Sequence, residues 1–392
     1  MKLLILTSRF PYPLEKGDKL RAYFQIRELA KQHELVLFSL SDTKWTEDSI
    51  KALQPYCQKI HLFPLKRISI YCRLFLSLFS KTPFQVAYFY QRSLHKKLQT
   101  IIEQEAPDLI YCQLIRMAVY CQDIELPKVL DYMDAFSIGL DRRSQKERGI
   151  RRWLVKLETR RVRNFEIIAQ TYFDRQSIIS EGDKNHLRVP NPSHVHVIPN
   201  GIDSHFFQPQ PSAEPQFDLV FVGNLGYFPN VEACSYLVKQ VLPLLPRTIR
   251  VLLAGANAPQ KVRAFDDGKH IRVSSWLPDI REGYQNGHIF VAPLFTGSGQ
   301  QNKILEAMAL ELPVITTSLV NQAIGAEDGK QLLIADSPGE FVAHIQQLMG
   351  DASLRIAMGK AARSFVKETY SWEKTGERLD ALLSEVADRQ DV

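Results

Sequence analysis

Thirteen short runs rich in valine, isoleucine and leucine punctuate the chain, and in most of them the apolar residues are continuous rather than alternating. A strand with one wet face alternates; a run that is apolar throughout is what a parallel sheet covered on both faces demands. The first half contains Leu3–Thr7, Glu34–Leu40, Lys59–Leu65, Asp108–Leu114, Lys128–Tyr132, Glu166–Thr171 and Val195–Pro199. The second contains Asp218–Gly223, Arg250–Gly255, His270–Ser274, His288–Pro293, Pro313–Thr317 and Gln331–Ala335. Stretches of helical character separate them, so the chain reads as α/β, and the doubled series predicts two doubly wound, Rossmann-like domains. With 392 residues, 45% of them hydrophobic, there is apolar material for two cores. Residues 204–216, with three prolines and little periodicity, read as the linker between domains 1–203 and 204–370. Residues 351–388 read as two helices broken at Tyr370-Ser371-Trp372.

Five scattered cysteines (Cys57, Cys72, Cys112, Cys121, Cys234) lack any Cys-x-x-Cys spacing, which points away from a disulfide framework or zinc site and toward a reducing, cytoplasmic compartment. Lys2-Leu3-Leu4-Ile5-Leu6 reads as a first strand and not as a signal peptide. The net charge of +6 is unevenly spread: residues 1–195 hold 32 Lys/Arg against 21 Asp/Glu, and no carboxylate occurs between Asp48 and Glu103. Such asymmetry predicts that the first half faces something anionic. Residues 66–81 form an apolar run with basic flanks, too short to span a bilayer, and residues 142–163 read as a basic amphipathic helix with ten Lys/Arg against two Glu. Together they suggest peripheral association with the inner face of a membrane, against the plainer reading of core helix beside solvated basic face. Nucleic acid is disfavoured, since no aromatic stacking platform accompanies the charge.

The strongest chemical signal runs from Ala292 to Ile315. An apolar strand ends in Gly297-Ser298-Gly299 and a helix begins at once, so its unsatisfied amides and positive dipole end make an anion site. Lys303 in the first turn opposes that dipole, a conflict that a negative ligand between amides and lysine removes. Asn302 is placed to cap the helix, and Glu306, three residues past Lys303, shares its face and suits a pair of ribose hydroxyls. An exposed Lys303–Glu306 ion pair is the plain alternative.

Gly299-x3-Lys303-x2-Glu306-Ala-Met-Ala-x3-Pro313-Val resembles the donor-binding signature of GT-B glycosyltransferases of family 4, a retaining group. Val197-Ile-Pro-Asn-Gly-Ile-Asp203 resembles its interdomain turn, Phe221-Val-Gly-Asn224 its second-domain phosphate loop, and Tyr370-Ser-Trp372 the start of its closing helix. Pro11-Tyr-Pro13 with Lys16-Gly17-Asp18 resembles its first-domain glycine loop, and the likeness is strongest to the branch of exopolysaccharide and exosortase (PEP-CTERM) systems. The resemblance implies two domains about a cleft, with residues 371–392 returning to the first. It implies transfer from a UDP- or GDP-linked sugar to a saccharide or lipid-linked acceptor.

By the same resemblance, Gly17 lets a backbone amide approach the donor phosphates, and Gly223, Asn224 and Asn230 line the phosphate loop. Asn224 and Asn230 stand where the family usually carries basic residues, leaving Lys303 to hold the pyrophosphate. Glu306 matches the second glutamate of an E-x7-E motif and holds the ribose; Ser298 stands at the first. The loop at Trp276 and Leu277 falls where the nucleobase is read, although Trp276 could be a core tryptophan. Asp134, ending a strand after Asp131, is a candidate for acceptor or donor-sugar contact, or else a cap at Ser137. No Asp-x-Asp motif occurs and no metal or other cofactor is expected. The alternatives are a nucleotide-sugar epimerase-like enzyme and a catalytically inactive, membrane-associated GT-B protein.

Overall fold

The computed structural model describes residues 1–43, 45–203, 206–209, 214–296 and 300–388, leaving aside the side chains of Arg142 and Lys146. The chain divides into two units, Met1–Pro199 with Thr375–Val392, and Asn200–Lys374. Of the expected linker, residues 204–205 and 210–213 lie outside the described residues.

The first unit holds a seven-stranded parallel sheet in the order β3-β2-β1-β4-β5-β6-β7. Its strands are β1 (Lys2–Thr7), β2 (Glu34–Ser41), β3 (Lys59–Pro64), β4 (Leu109–Gln113), β5 (Lys128–Met133), β6 (Arg175–Ile178) and β7 (Val195–Val197). Leu3 and Ile5 point into one apolar cluster and Leu4 and Leu6 into another, which is why β1 is apolar at every position. The Trp372–Asp388 helix supplies Leu379, Leu382, Leu383 and Val386 to the Leu3 cluster. Thr375 Oγ1 donates to the Pro199 carbonyl at 3.1 Å.

The second unit repeats the plan with six parallel strands in the order β10-β9-β8-β11-β12-β13. These are β8 (Phe217–Val222), β9 (Val251–Ala254), β10 (Ile271–Ser274), β11 (Gly287–Ala292), β12 (Val314–Thr316) and β13 (Leu333–Ile334). Among the described residues one apolar cluster fills it, built on β8, β9, β11 and the Asn302–Ala309 helix.

Two expectations need correction. The Glu166–Thr171 run is not a strand: it ends the Gly149–Gln170 helix, burying Val162, Glu166 and Ala169 at helical spacing. The sixth strand is instead Arg175-Gln-Ser-Ile178, a polar sequence that reaches the core because its side chains find partners there, Ser177 Oγ on Asp131 at 2.9 Å and Gln176 Oε1 accepting from Gln170 at 3.0 Å. Residues 142–163 form no single helix either, since the chain breaks at Glu147-Arg148 between the Phe136–Lys146 and Gly149–Gln170 helices. Among the described residues no helix is long and apolar enough to cross a membrane.

Candidate functional site

In the second unit β8 and β11 are neighbours although β9 and β10 lie between them in sequence, so the sheet reverses its strand order there. Ligands of doubly wound sheets bind outside the carboxyl ends of strands at such a point. The loop after β8 carries Gly223 and Asn224; the segment after β11 leads into the Asn302–Ala309 helix. Thr316 and Thr317 hydroxyls, donating to the carbonyls of Ala292 and Leu294 at 2.9 and 2.7 Å, pin the start of that segment.

Gly223, Asn230 and Lys303 are packed together. A Cβ on Gly223 would stand 3.1 Å from both Lys303 Cε and Asn230 Nδ2, so glycine makes room for the lysine stem. Asn230 is buried; its Nδ2 donates to the Asn224 carbonyl at 2.8 Å, while its Oδ1 has no hydrogen-bond partner among the described residues. Asn224 Oδ1 accepts from the Gly226 amide at 3.0 Å and turns the loop. The two asparagines thus hold the loop's shape and leave the positive charge here to Lys303.

Lys303 and Glu306 are not a solvated ion pair. Lys303 Nζ donates to Gln301 Oε1 at 2.8 Å, and Glu306 Oε2 accepts from the Tyr284 hydroxyl at 2.6 Å. Burial lowers the lysine to about 8, opposed by the charges of Glu306 and Cys234. Burial also raises the Glu306 carboxyl, against the Tyr284 hydrogen bond and Lys303. The ammonium therefore lies largely stripped of water at a helix end that already disfavours it, with a neutral amide as its hydrogen-bond partner.

Asn302 does not cap the helix. The N-cap is Gln301, with no side-chain cap bond among the described residues, and Asn302 is the first helical residue, its buried Oδ1 without a hydrogen-bond partner among the described residues. An unsatisfied buried acceptor costs about 1–3 kcal/mol. Gln300 is fixed by a reciprocal pair, accepting from the Asn200 amide at 2.8 Å and donating to its carbonyl at 2.9 Å. Gly297, Ser298 and Gly299 lie outside the described residues. Trp276 is no core tryptophan: it is 70% exposed on the loop after β10, whereas Leu277 is half-buried against Gly283.

In the first unit the order reverses between β1 and β4. Gly17 is the first residue of the Gly17–Leu29 helix rather than a turn glycine, and a Cβ there would meet only the flexible tip of Met133, at 3.2 Å. Arg9 and Arg116 both bind Asp18, at 2.8 and 3.2 Å, and both stack over Phe89. Burial and the neighbouring Arg9 bring Arg116 down to about 10. Asp134 follows Met133, whose φ is 67°. Burial, then the nearby Asp183, raises Asp134 to about 6, with Arg116 pulling the other way. It is not the cap of the next helix: the Ser137 amide donates to Glu166 Oε1 at 2.9 Å, and burial raises Glu166 to about 7. The sequence reading missed Tyr284, Arg116 and Glu166. None sits in a recognisable motif, and only their three-dimensional partners single them out.

Comparison with known proteins follows the same lines. Residues 216–351 match the family described as "Glycosyl transferases group 1". Over 95% of its length the chain is 23% identical to 97% of an uncharacterised 44.6 kDa protein in the cps region of Klebsiella pneumoniae. A 102-residue segment, 25% of this chain and 26% of the relative, is 33% identical to the capsular polysaccharide biosynthesis glycosyltransferase CapM of Staphylococcus aureus. Among solved structures, HepE of Anabaena in complex with UDP superposes with a TM-score of 0.68 at 15% identity, over 98% of this chain and all of that one. The fold is GT-B, two parallel-sheet Rossmann-like domains.

Proposed function

We propose that this chain moves a sugar from a nucleotide-diphosphate donor to a saccharide or lipid-linked acceptor in capsule or exopolysaccharide synthesis; the match of residues 216–351 to the group 1 glycosyl transferases and the capsule-region relatives support the reading. We read it as a retaining, family 4-like hexosyltransferase on the exosortase-associated branch. The observation that carries the reading is Lys303, a desolvated cation at a helix N-terminus beside a glycine loop. A diphosphate meets the lysine, the helix amides and the Gly223–Asn224 backbone together. UDP, which HepE binds, and GDP both carry that group. Glu306, oriented by Tyr284, accepts from the ribose hydroxyls, and the exposed Trp276 offers its face to the base.

In the reaction the bond from the anomeric carbon to the diphosphate oxygen breaks while the acceptor hydroxyl bonds to the same face of that carbon. Charge builds on the departing diphosphate, where Lys303 and the fixed amides stabilise it without reorganising. The acceptor proton leaves with that diphosphate or passes to a base. Asp134, ionised above about 6, is the first-unit carboxylate we assign to acceptor or donor-sugar contact. No metal is assigned to the step. We place the reaction at the inner, anionic face of a membrane, in keeping with the basic first half.

Calorimetry with UDP and GDP, followed by turnover on a panel of nucleotide sugars, tests the reading. Tight binding of one diphosphate, with release of that diphosphate when acceptor is added, is expected. Binding without turnover favours the inactive GT-B reading, and an altered sugar without transfer favours the epimerase. No binding of either diphosphate sinks the transferase and epimerase readings and leaves the inactive GT-B protein.

A further inference from the structure

The helix Arg67–Ser77 is amphipathic the wrong way round. Its inward side is Ile70 and Ser77, whereas Ile68 (81% exposed), Tyr71, Phe75 (62%), Leu76 and Phe79 just beyond its end (80%) form one continuous stripe toward solvent. A soluble helix places such residues against the core, and a stripe of contiguous large apolar side chains in water marks a binding surface. The Gly149–Gln170 helix adds Ile150 (79%) and Trp153 (63%) in its first turns. The two elements are tied at the end of the first: Arg161 donates to the carbonyl of Leu78, the residue that closes the Arg67–Ser77 helix, at 3.2 Å, and Glu158 accepts from the amides of Phe84 and Gln85, which open the next helix, at 3.0 and 3.3 Å.

We propose that the Arg67–Ser77 helix lies flat in an anionic phospholipid bilayer with Phe75 and Phe79 among the acyl chains, and that the first turns of the Gly149–Gln170 helix dock beside it. This deepens the membrane placement above and rests on it, adding apolar insertion to charge attraction. The occupant follows from the charges. Lys66, Arg67, Arg148, Arg151, Arg152 and Lys156 are all exposed around the apolar stripe. A second copy of the chain would press like charge against like, whereas anionic headgroups neutralise it and acyl chains take the stripe. An eleven-residue helix is about 16 Å long, too short to span a bilayer, so it lies in the interface.

The test uses the whole chain and vesicles of phosphatidylcholine with or without phosphatidylglycerol. Cys72, within the stripe, is exposed while Cys57, Cys112, Cys121 and Cys234 are buried, so a water-soluble maleimide reports on this helix. We expect co-sedimentation only with phosphatidylglycerol, at least tenfold slower Cys72 alkylation on those vesicles, and at least tenfold weaker partitioning of Phe75→Ser/Phe79→Ser. Its melting temperature and nucleotide affinity should stay as in the parent. Salt-sensitive binding with Cys72 still reactive and the double variant unimpaired overturns insertion while leaving charge attraction standing. A lipid-independent dimer that the double variant dissolves assigns the stripe to a second copy and overturns the proposal. Loss of vesicle binding with intact sugar transfer separates this inference from the enzymatic one.

Discussion

The two units bury charge in opposite ways. In the first, Asp131 is fully buried and receives Arg21 through two hydrogen bonds at 2.6 and 3.1 Å, the Tyr111 and Ser177 hydroxyls at 3.0 and 2.9 Å, and the Met133 amide at 3.2 Å. Arg21 also donates to the Ile198 carbonyl. Nothing is left over for a ligand, and such a pair holds β1's following helix to β5 and β7. In the second unit, Lys303 has one hydrogen-bond partner among the described residues, a neutral amide, and a pKa pulled down to about 8 by burial. A completed buried network specifies the fold; an incomplete one, kept at a helix end, waits for an anion.

The sharpest way to break this contrast is to remove one cation from each unit. Arg21→Met leaves the Asp131 carboxylate buried without its partner and should cost about 3–5 kcal/mol in urea unfolding, with Arg21→Met/Asp131→Leu recovering much of it. Lys303→Met removes a desolvated charge that is poorly compensated and should leave stability unchanged or slightly higher. Equal losses in the two variants would abolish the distinction between structural and ligand-waiting charge.

Next comes turnover. Glu306→Ala should lower kcat about 10²–10³-fold, of the order seen when one preorganised polar contact of an active site is lost, while melting stays near the parent value. Tyr284→Phe should reproduce a fraction of that loss, since the phenol only orients the carboxylate. Unchanged kcat in the alanine variant removes Glu306 from the site.

Affinity follows. Lys303→Met should weaken nucleoside diphosphate binding about 10–100-fold and nucleoside binding hardly at all, as a charged hydrogen bond worth roughly 1.5–3 kcal/mol predicts. Because the free lysine is cationic only below about 8, diphosphate affinity should fall about tenfold per pH unit above that value, and the variant should lose this dependence. Folding responds in the other direction: between about 8 and the ordinary lysine value the unfolded chain binds more protons, so stability rises with pH. A flat pH profile for the parent's affinity contradicts a cationic grip.

Both sheets were legible because burial on two faces leaves a mark on every residue of a strand. β6 escaped for the converse reason: Arg-Gln-Ser-Ile looks polar until Ser177 meets Asp131, 46 residues earlier, and Gln176 meets Gln170 at the end of the preceding helix. The Lys303–Glu306 spacing was visible, but not that each residue would turn to a different partner, since Tyr284 sits on a separate helix. Asp131 and Asp134 illustrate the same limit. Three residues apart at the end of one strand, they read as equivalent, yet one is consumed by Arg21 and the other is left with a raised pKa.

That difference yields the smallest expected effect. Asp134 titrates near 6 in the folded chain against an ordinary value of 3.8, so the native state keeps a proton that the unfolded state releases. Stability attributable to this group therefore falls as pH rises from about 4 to 6 and is flat above. Asp134→Asn lifts that penalty and should stabilise the chain by about 1 kcal/mol at pH 7.5, after discounting for residual solvent, and by less at pH 5. If the carboxylate also touches a sugar, the same variant loses turnover while gaining stability, the trade expected of a group strained for function. A gain that is equal at both pH values would mean that Asp134 is not held out of its ordinary range, and its claim to a role in the first unit would go with it.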